Sequence, residues 1–384
     1  MRHCGDRPNI KNPYVVTYSL GVTHAFTNNL SLEVGYVGNH GGNLTGFRDI
    51  NQCAPNPTGA CVRPYGTAYP YLSFIDQQSN FGVSNYNSLQ ATLTKRLSHG
   101  LNFTAGYTYG HDLDNGSISR FGYLPQNANN TNAEYADGDF DIRHRLTLTA
   151  GYALPSKKGF GQLLEGWKMN SILNLHSSQP WNVTDLENDF SGAGDSADRW
   201  DLLGKASDFP SGSSSIPFCT GPTNCSVLSS VSGIQSFYSP SASAAMWAKC
   251  AAAAPDPTTL AVGGCYVSRN GNSVIVPPLA GTFGTMGRNI FRDNGFKDLD
   301  FSVFKNFRIK ERLNAEFRAE IFNLFNHPTV ANPWGSQNGW AGGNDLGTSA
   351  TFGCGCSTSD IAAGNPLIGS GGNRDIQFGL KLTF

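Results

Sequence analysis

Apolar and polar side chains alternate with a period of two along nine segments of this chain, the spacing of strands that bury one face. In the first, Tyr14, Val16, Tyr18, Leu20, Val22 and Phe26 share a face, broken only by His24. The second sets Leu30, Leu32, Val34 and Tyr36 against Ser31, Glu33 and Gly35; the third sets Leu89, Ala91, Leu93 and Leu97 against Ser88, Gln90, Thr92 and Thr94. The fourth carries Leu101, Phe103, Ala105, Tyr107 and Tyr109; the fifth Leu146, Leu148, Ala150, Tyr152 and Leu154; the sixth Trp167, Met169, Leu173 and Leu175. Leu299, Phe301, Val303 and Phe307 mark the seventh, and Leu313, Ala315, Phe317, Ala319 and Ile321 the eighth. The ninth is the last stretch, DIQFGLKLTF, with Ile376, Phe378, Leu380, Leu382 and Phe384 on one face. Most of these segments run about nine to eleven residues, the length that crosses a bilayer at a barrel's tilt.

Alternation alone fits a soluble sandwich as well as a membrane barrel. The connections separate the two. Strands one and two join at 27–29, three and four at 98–100, seven and eight at 308–312, and five and six through a moderate segment at 155–166. Every other connection is long: 39–84, 110–142, 177–297 and 323–373. Short and long links alternate without exception, as periplasmic turns and extracellular loops do in an outer-membrane barrel. On this reading Tyr14, Tyr36 and Tyr109 lie in an outer aromatic belt, and Phe26, Trp167, Phe307 and Phe384 in an inner one. Lys95 and Lys305 fall in the lipid-facing phase near short turns, where long stems carry an ammonium to the headgroups. The 177–297 loop leaves room for a further hairpin.

Composition agrees. Charged residues make up 14% of the 384, against roughly 25% in soluble chains, and the net charge is −1. No bulk charge points to nucleic acid. No apolar run is long enough for a transmembrane helix, and the first residues lack the apolar core of a signal peptide.

The cysteines avoid every predicted strand. Cys53 with Cys61, Cys219 with Cys225 and Cys250 with Cys265 are candidate local disulfides pinning the first and third loops, although spacing does not fix connectivity. Cys354 and Cys356 are tightly spaced for a disulfide and read as free or pairing thiols rather than a metal site; Cys4 is the odd ninth. Enzyme signatures fail. Ser302 and Lys305 match a serine–lysine spacing, but an offset of three on a strand sends them to opposite faces. Glu316, Arg318 and Glu320, with Asp298 and Asp300 across the hairpin, read as a salt-bridged, hydrated interior rather than a catalytic carboxylate pair. The run Asp141–Arg145 reads as the polar mouth of the fifth strand. No catalytic, cofactor or metal residues are assigned.

Several stretches resemble the C-terminal barrel of Oar-like TonB-dependent transporters, often described with a carboxypeptidase-regulatory-like N-terminal domain. They are SLEVGYVGNHGGNL (31–44), NYNSLQATLTKRLSHGLNFTAGYTYGHDLDN (85–115), DIRHRLTLTAGYALP (141–155), GRNIFRDNGFKDLDFSVFKNFRIKERLNAEFRAEIFNLFNHP (287–328) and the terminal RDIQFGLKLTF. The resemblance covers most of the chain except much of 177–285. It implies a 22-stranded barrel around a plug, with a preceding segment that engages TonB; plug, segment and signal peptide are not in these residues. It also implies that the terminal strand, with Phe378, Leu380, Leu382 and Phe384, is read by the barrel-assembly machinery. The fold expected is all-β: a single partial transmembrane antiparallel β-barrel over 1–384, about nine strands of the full wall, with outer-membrane lipid as its surroundings. The expected function is binding and gated uptake of an unidentified extracellular substrate. The alternatives are a surface structural or adhesion protein and a soluble β-rich binding domain.

Overall fold

The computed structural model describes residues 2–6, 9–117, 125–156, 162–195, 198–229, 234–310, 313–333, 345–347, 351–362 and 371–384. Nine strands form one antiparallel wall in strict chain order. They are β1 (Tyr14–Thr27), β2 (Leu30–Asp49), β3 (Phe74–Ser98), β4 (Leu101–Asp114), β5 (His144–Ala153), β6 (Trp167–His176), β7 (Phe296–Lys310), β8 (Leu313–Phe322) and β9 (Asp375–Thr383). Short strands Arg2–Asp6 and Ala136–Asp137 attach to β3 and β4 at the wall's loop end. All nine predicted strands are present. Residues 311–312 of the third short turn, and much of the fourth long loop, lie outside the described residues.

Register makes the alternation collective. Val22 pairs with Val34, Val34 with Ala91, Ala91 with Tyr107, and Tyr107 with Leu146. Leu146 pairs with Leu175, and further along Met169 with Val303, Val303 with Ala319, and Ala319 with Phe378. Directly paired residues share a face of a sheet, so the apolar positions merge into one continuous surface. The other face carries Thr, Asn, Gln, Arg and Glu. Among the described residues this apolar surface is largely bare: Leu20 is 74% exposed and Leu380 70%. Such a face is stable only against hydrocarbon.

The second and third strands overrun their expected ends. The predicted loop 39–84 shrinks to 50–73, because β2 and β3 stay paired, with register shifts on either side of Leu44, to Asp49 opposite Asp76. Beyond Tyr36 the sequence turns to glycine and asparagine, so this part of the hairpin stands in water and needs no greasy face. Its glycines have a steric role: a Cβ on Gly38 would meet the ring of Tyr18, and one on Gly42 the ring of Tyr14.

The third loop adds no wall strand. It folds instead into a six-stranded sheet running from Asp201–Leu203 through Val274–Val276, Cys265–Val267, Phe218–Gly221 and Asn224–Ser229 to Ile234–Phe237. Helices α1 (Pro240–Ala253) and α2 (Pro257–Gly263) accompany it. Each has proline in its first turn behind a capping side chain, Ser239 and Asp256. Lys305 also departs from expectation. It does not reach toward headgroups: it is buried, its ammonium donates to the carbonyls of Gln162 and Glu165, and it lies 4.6 Å from the Phe307 ring centre. Residues 162–165 lie against its inner end and satisfy it locally.

Arginine in place of Leu148, near mid-wall on the apolar face, should destabilise the assembled protein by about 2–4 kcal/mol. Arginine in place of the neighbouring Thr147, on the polar face, should cost much less. The fraction of heat-modifiable folded species during urea titration reads the difference; equal losses would contradict this assignment of faces.

Candidate functional site: the loop layer over the polar face

The hydrophobic core of the molecule lies above the wall, where Trp181, Trp200, Phe209, Tyr266, Phe291 and Phe352 pack as one buried cluster. Trp200 donates its indole N–H to Asp185 Oδ2 at 2.8 Å, so its polar edge is satisfied inside that cluster. Around it the loops are joined by buried ion pairs. Arg199 forms a fork with Glu134 at 2.9 and 2.8 Å, and its Nε donates to the Met286 carbonyl at 2.8 Å. Gln126 bridges the same groups: its amide donates to Gly284 O at 3.0 Å and its carbonyl accepts Arg199 N–H at 2.6 Å.

The arm leading into β7 carries the other two arginines. Arg288, fully buried, donates to Asp114 and to the Glu134 carbonyl, and pairs with Asp139 at 3.3 Å. Arg292 binds Asp137 and Asp141, which Arg143 bridges from the opposite side at 2.8 and 2.7 Å. His111 completes the group 3.0 Å from Asp137. The 50–73 loop is fastened to the segment 185–201: Cys53 N–H donates to Ala193 O at 2.9 Å, Asn56 N–H to Ser191 O at 2.8 Å, and Arg63 to Gly194 O at 2.8 Å. Gly192 is required there, since a Cβ would lie 2.3 Å from Asn56 O.

This lattice engages its charges internally, so its role is to hold the loops as a rigid layer. The sequence signal for it was present in GRNIFRDNGF and in the acids followed by bases over 134–145. It reads there as polarity, because the partners that join one loop to another lie 65 to 174 residues apart.

The structure joins Cys53 to Cys61, Cys219 to Cys225 and Cys250 to Cys265. Cys354 and Cys356, tightly spaced for a disulfide and read as free or pairing thiols, are also joined, with Cα atoms 5.0 Å apart. Gly355 lies between them, where a Cβ would meet Val330 and Ala331, and Cys356 takes a positive φ of 44°. The turn thereby brings the two thiols together. On the polar face, Glu316 and Arg318 pair at 2.7 Å, but β7 sets Asn306 and Phe304 opposite them. Asp298 and Asp300 lie nearer the loop end, so the expected acid–base ladder across the hairpin is split in two. Ser302 and Lys305 occupy opposite faces. Among the described residues no three His, Cys, Asp or Glu side chains are grouped to hold a metal ion. The terminal residues Phe378, Leu380 and Leu382 lie on the apolar face of β9, and Phe384 follows it, 92% exposed.

A nine-stranded wall with a bare apolar outer face, a polar inner face and one thick loop layer defines an outer-membrane β-barrel protein. The family model described as outer membrane beta barrel domain matches residues 5–377; the chain belongs to that family and resides in the cell outer membrane. Similar solved structures include the pyoverdine outer membrane receptor FpvA from Pseudomonas aeruginosa, at 10% identity. FpvA is matched over 98% of this chain and 30% of its own, with a TM-score of 0.41. The outer membrane transporter YddB from Escherichia coli, at 10% identity, is matched over 84% of this chain and 30% of its own, with a TM-score of 0.40. The FrpB iron transporter from Neisseria meningitidis, at 9% identity, is matched over 98% and 32%, with a TM-score of 0.40. The present chain thus spans about a third of the length of these structures. A search of proteins with curated functions found no match.

Three carboxylates in the layer hold their protons unusually tightly. Burial, then the neighbouring Asp49, raises Asp195 to about 7; burial, with Asp189 and Asp185 nearby, raises Asp198 to about 7. Burial and then Asp114 raise Asp112, above the outer tyrosines, to about 6. In the unfolded chain these groups ionise near 3.8. The folded state therefore binds more protons, and the stability this confers is lost as pH rises through about 6 to 7. Asp137 is different: although burial opposes it, bonds from Arg292 and His111 leave it lowered. Its contribution is lost only in acid, outside that window. The loop layer should resist proteolysis better at pH 6 than at pH 8, and combined Asp195→Asn and Asp198→Asn substitutions should flatten the dependence. A cleavage rate independent of pH in the unsubstituted protein would contradict the assignment.

Proposed function

We propose that this chain is the C-terminal barrel part of an Oar-like TonB-dependent transporter, whose whole chain includes a plug and a carboxypeptidase-regulatory-like N-terminal domain. The observation that carries the reading is the pairing of a polar inner face with a loop layer fixed above it by buried arginines. A structure that only anchors a protein needs neither; a receptor that captures a solute outside and passes it inward needs both. The motifs in 287–328 and the terminal strand supply the family subtype. The chemistry is binding and gated passage, with no covalent step. The polar wall residues surround plug and pathway, the outer loops meet the substrate, and energy arrives through TonB by way of the N-terminal part. The complete wall has 22 strands, and strand β9 is the one the barrel-assembly machinery recognises.

Cells expressing the full-length gene should take up at least one solute from a panel of metal chelates, peptides and oligosaccharides, and a protonophore should abolish that uptake. Residues 1–384 alone should give none. Unchanged uptake after the proton gradient is collapsed would sink the transporter reading, and loss of cell adhesion without any loss of uptake on gene deletion would favour an adhesion role instead. Deleting Phe384 should lower the heat-modifiable, assembled fraction several-fold at unchanged synthesis; full assembly without it would remove β9 from that role.

A further inference from the structure

The turn Asn323-Leu-Phe-Asn-His-Pro328 closes β8 at its outer end and is held unusually firmly. Asn323 and Asn326 both adopt a left-handed φ of 50°. The Asn323 side chain accepts His327 N–H at 2.9 Å and donates to Gly372 O at 2.8 Å. Leu324 N–H donates to Leu299 O at 2.8 Å, and Asn326 Oδ1 accepts Arg374 N–H at 3.1 Å. The turn therefore ties the outer ends of β7, β8 and β9 together and presents Phe325, 75% exposed, at the rim.

Beside it lies a cleft of about 320 Å³ lined by Asn294, Gly295, Lys297, His327 and the 328–330 backbone region. Lys297 belongs to the apolar face: it pairs with Leu175, which pairs with Leu146. Its ammonium thus emerges on the outside of the wall. Among the described residues no carboxylate lines the cleft. The nearby Asp293 carboxylate accepts bonds from Gln179, Gly295 and Asn332, and Asp375 pairs with Phe322 on the inner face. Arg374, exposed just before β9, donates to Leu324 O at 3.4 Å and adds a second positive charge at this rim. Directly below, Phe301, Ile321 and Ile376 form a paired apolar row across β7, β8 and β9.

We infer that this cleft binds the phosphate of an outer-leaflet lipid, with Lys297 and His327 as its donors and the lipid's acyl chains laid on the row of Phe301, Ile321 and Ile376. A cationic cleft fits a phosphate. Its continuity with the bare apolar face selects a lipid-borne one, and an exposed aromatic at the same height suits the interface. An acidic peptide would have no use for the apolar row beneath.

The test uses outer-membrane-assembled protein in detergent, titrated with bis-phosphorylated lipid A, with the same lipid dephosphorylated, and with inorganic phosphate. Lipid A should bind saturably, one per protein, and its dephosphorylated form about tenfold more weakly. Lys297→Gln with His327→Gln should weaken lipid A binding by about tenfold while heat-modifiable migration stays unchanged. Lys95→Gln, at the opposite membrane surface, should have no effect. Three results would overturn the proposal: equal binding of the two lipids, full binding by the assembled double variant, or an equal loss on Lys95→Gln. Displacement of lipid A by millimolar inorganic phosphate would assign the site to a free anion and overturn it too.

Discussion

A backbone N–H or C=O in hydrocarbon has no water to turn to, so every such group in the wall must find its partner in a neighbouring strand. That constraint dictates most of what is seen. Each wall strand pairs with its neighbours in the chain, because a direct hairpin satisfies both ladders at once with the least loop to close. Side chains then have only two directions available. One face meets lipid and is apolar in all nine strands; the other meets the barrel interior and is polar. Strands β2 and β3 show the rule relaxing. Once past Tyr36 and Leu89 they stand in water, the ladder persists to Asp49 and Asp76, and the apolar alternation stops.

A wall with its greasy face outward has no core of its own. The packed aromatic centre of this molecule lies in the loops instead, with Trp181, Trp200 and Tyr266 buried in one cluster. Loops of this length would otherwise lose more conformational entropy than their apolar content repays. Disulfides close the local loops within the layer, and arginines tie its distant parts together. Burying Arg288 and Arg199 is costly in isolation, and it is tolerable because each guanidinium meets carboxylates and carbonyls in fixed positions. Arg288 and Arg292 precede β7 by only a few residues. Their positions are therefore set by the wall, and the loop layer is registered to it.

The wall was legible because its code is local. A period of two is visible within ten residues, and the alternation of short and long links orients it. The loop layer was not legible, because its contacts join residues far apart in sequence. Glu134 and Arg199 are 65 residues apart, Asp114 and Arg288 are 174 apart, and nothing in either segment names the other. The six-stranded sheet in the third loop escaped for a related reason: its strands are three to six residues long, too short for alternation to register. Lys305 shows the limit of a sensible local argument. Its phase and height suited an ammonium reaching the interface, but Gln162 and Glu165 supplied two carbonyls closer than any headgroup.

The two edges of the wall carry a further geometric consequence. Strands β1 and β9 each pair on one side only within the described sheet. Both run from the loop layer toward the short turns, since eight reversals separate them. Joining them directly would make a parallel seam. An all-antiparallel closure instead needs an odd number of strands between them, the outermost two of which run the other way. The loop lattice does not depend on that closure. Its arginines and acids come from the links β4–β5 and β6–β7, which rise from the centre of the wall, and its second anchor from the adjacent β2–β3 link. The ionic bracing therefore falls mainly on links away from the two edge strands, and the described contacts that hold the layer lie within this part of the barrel.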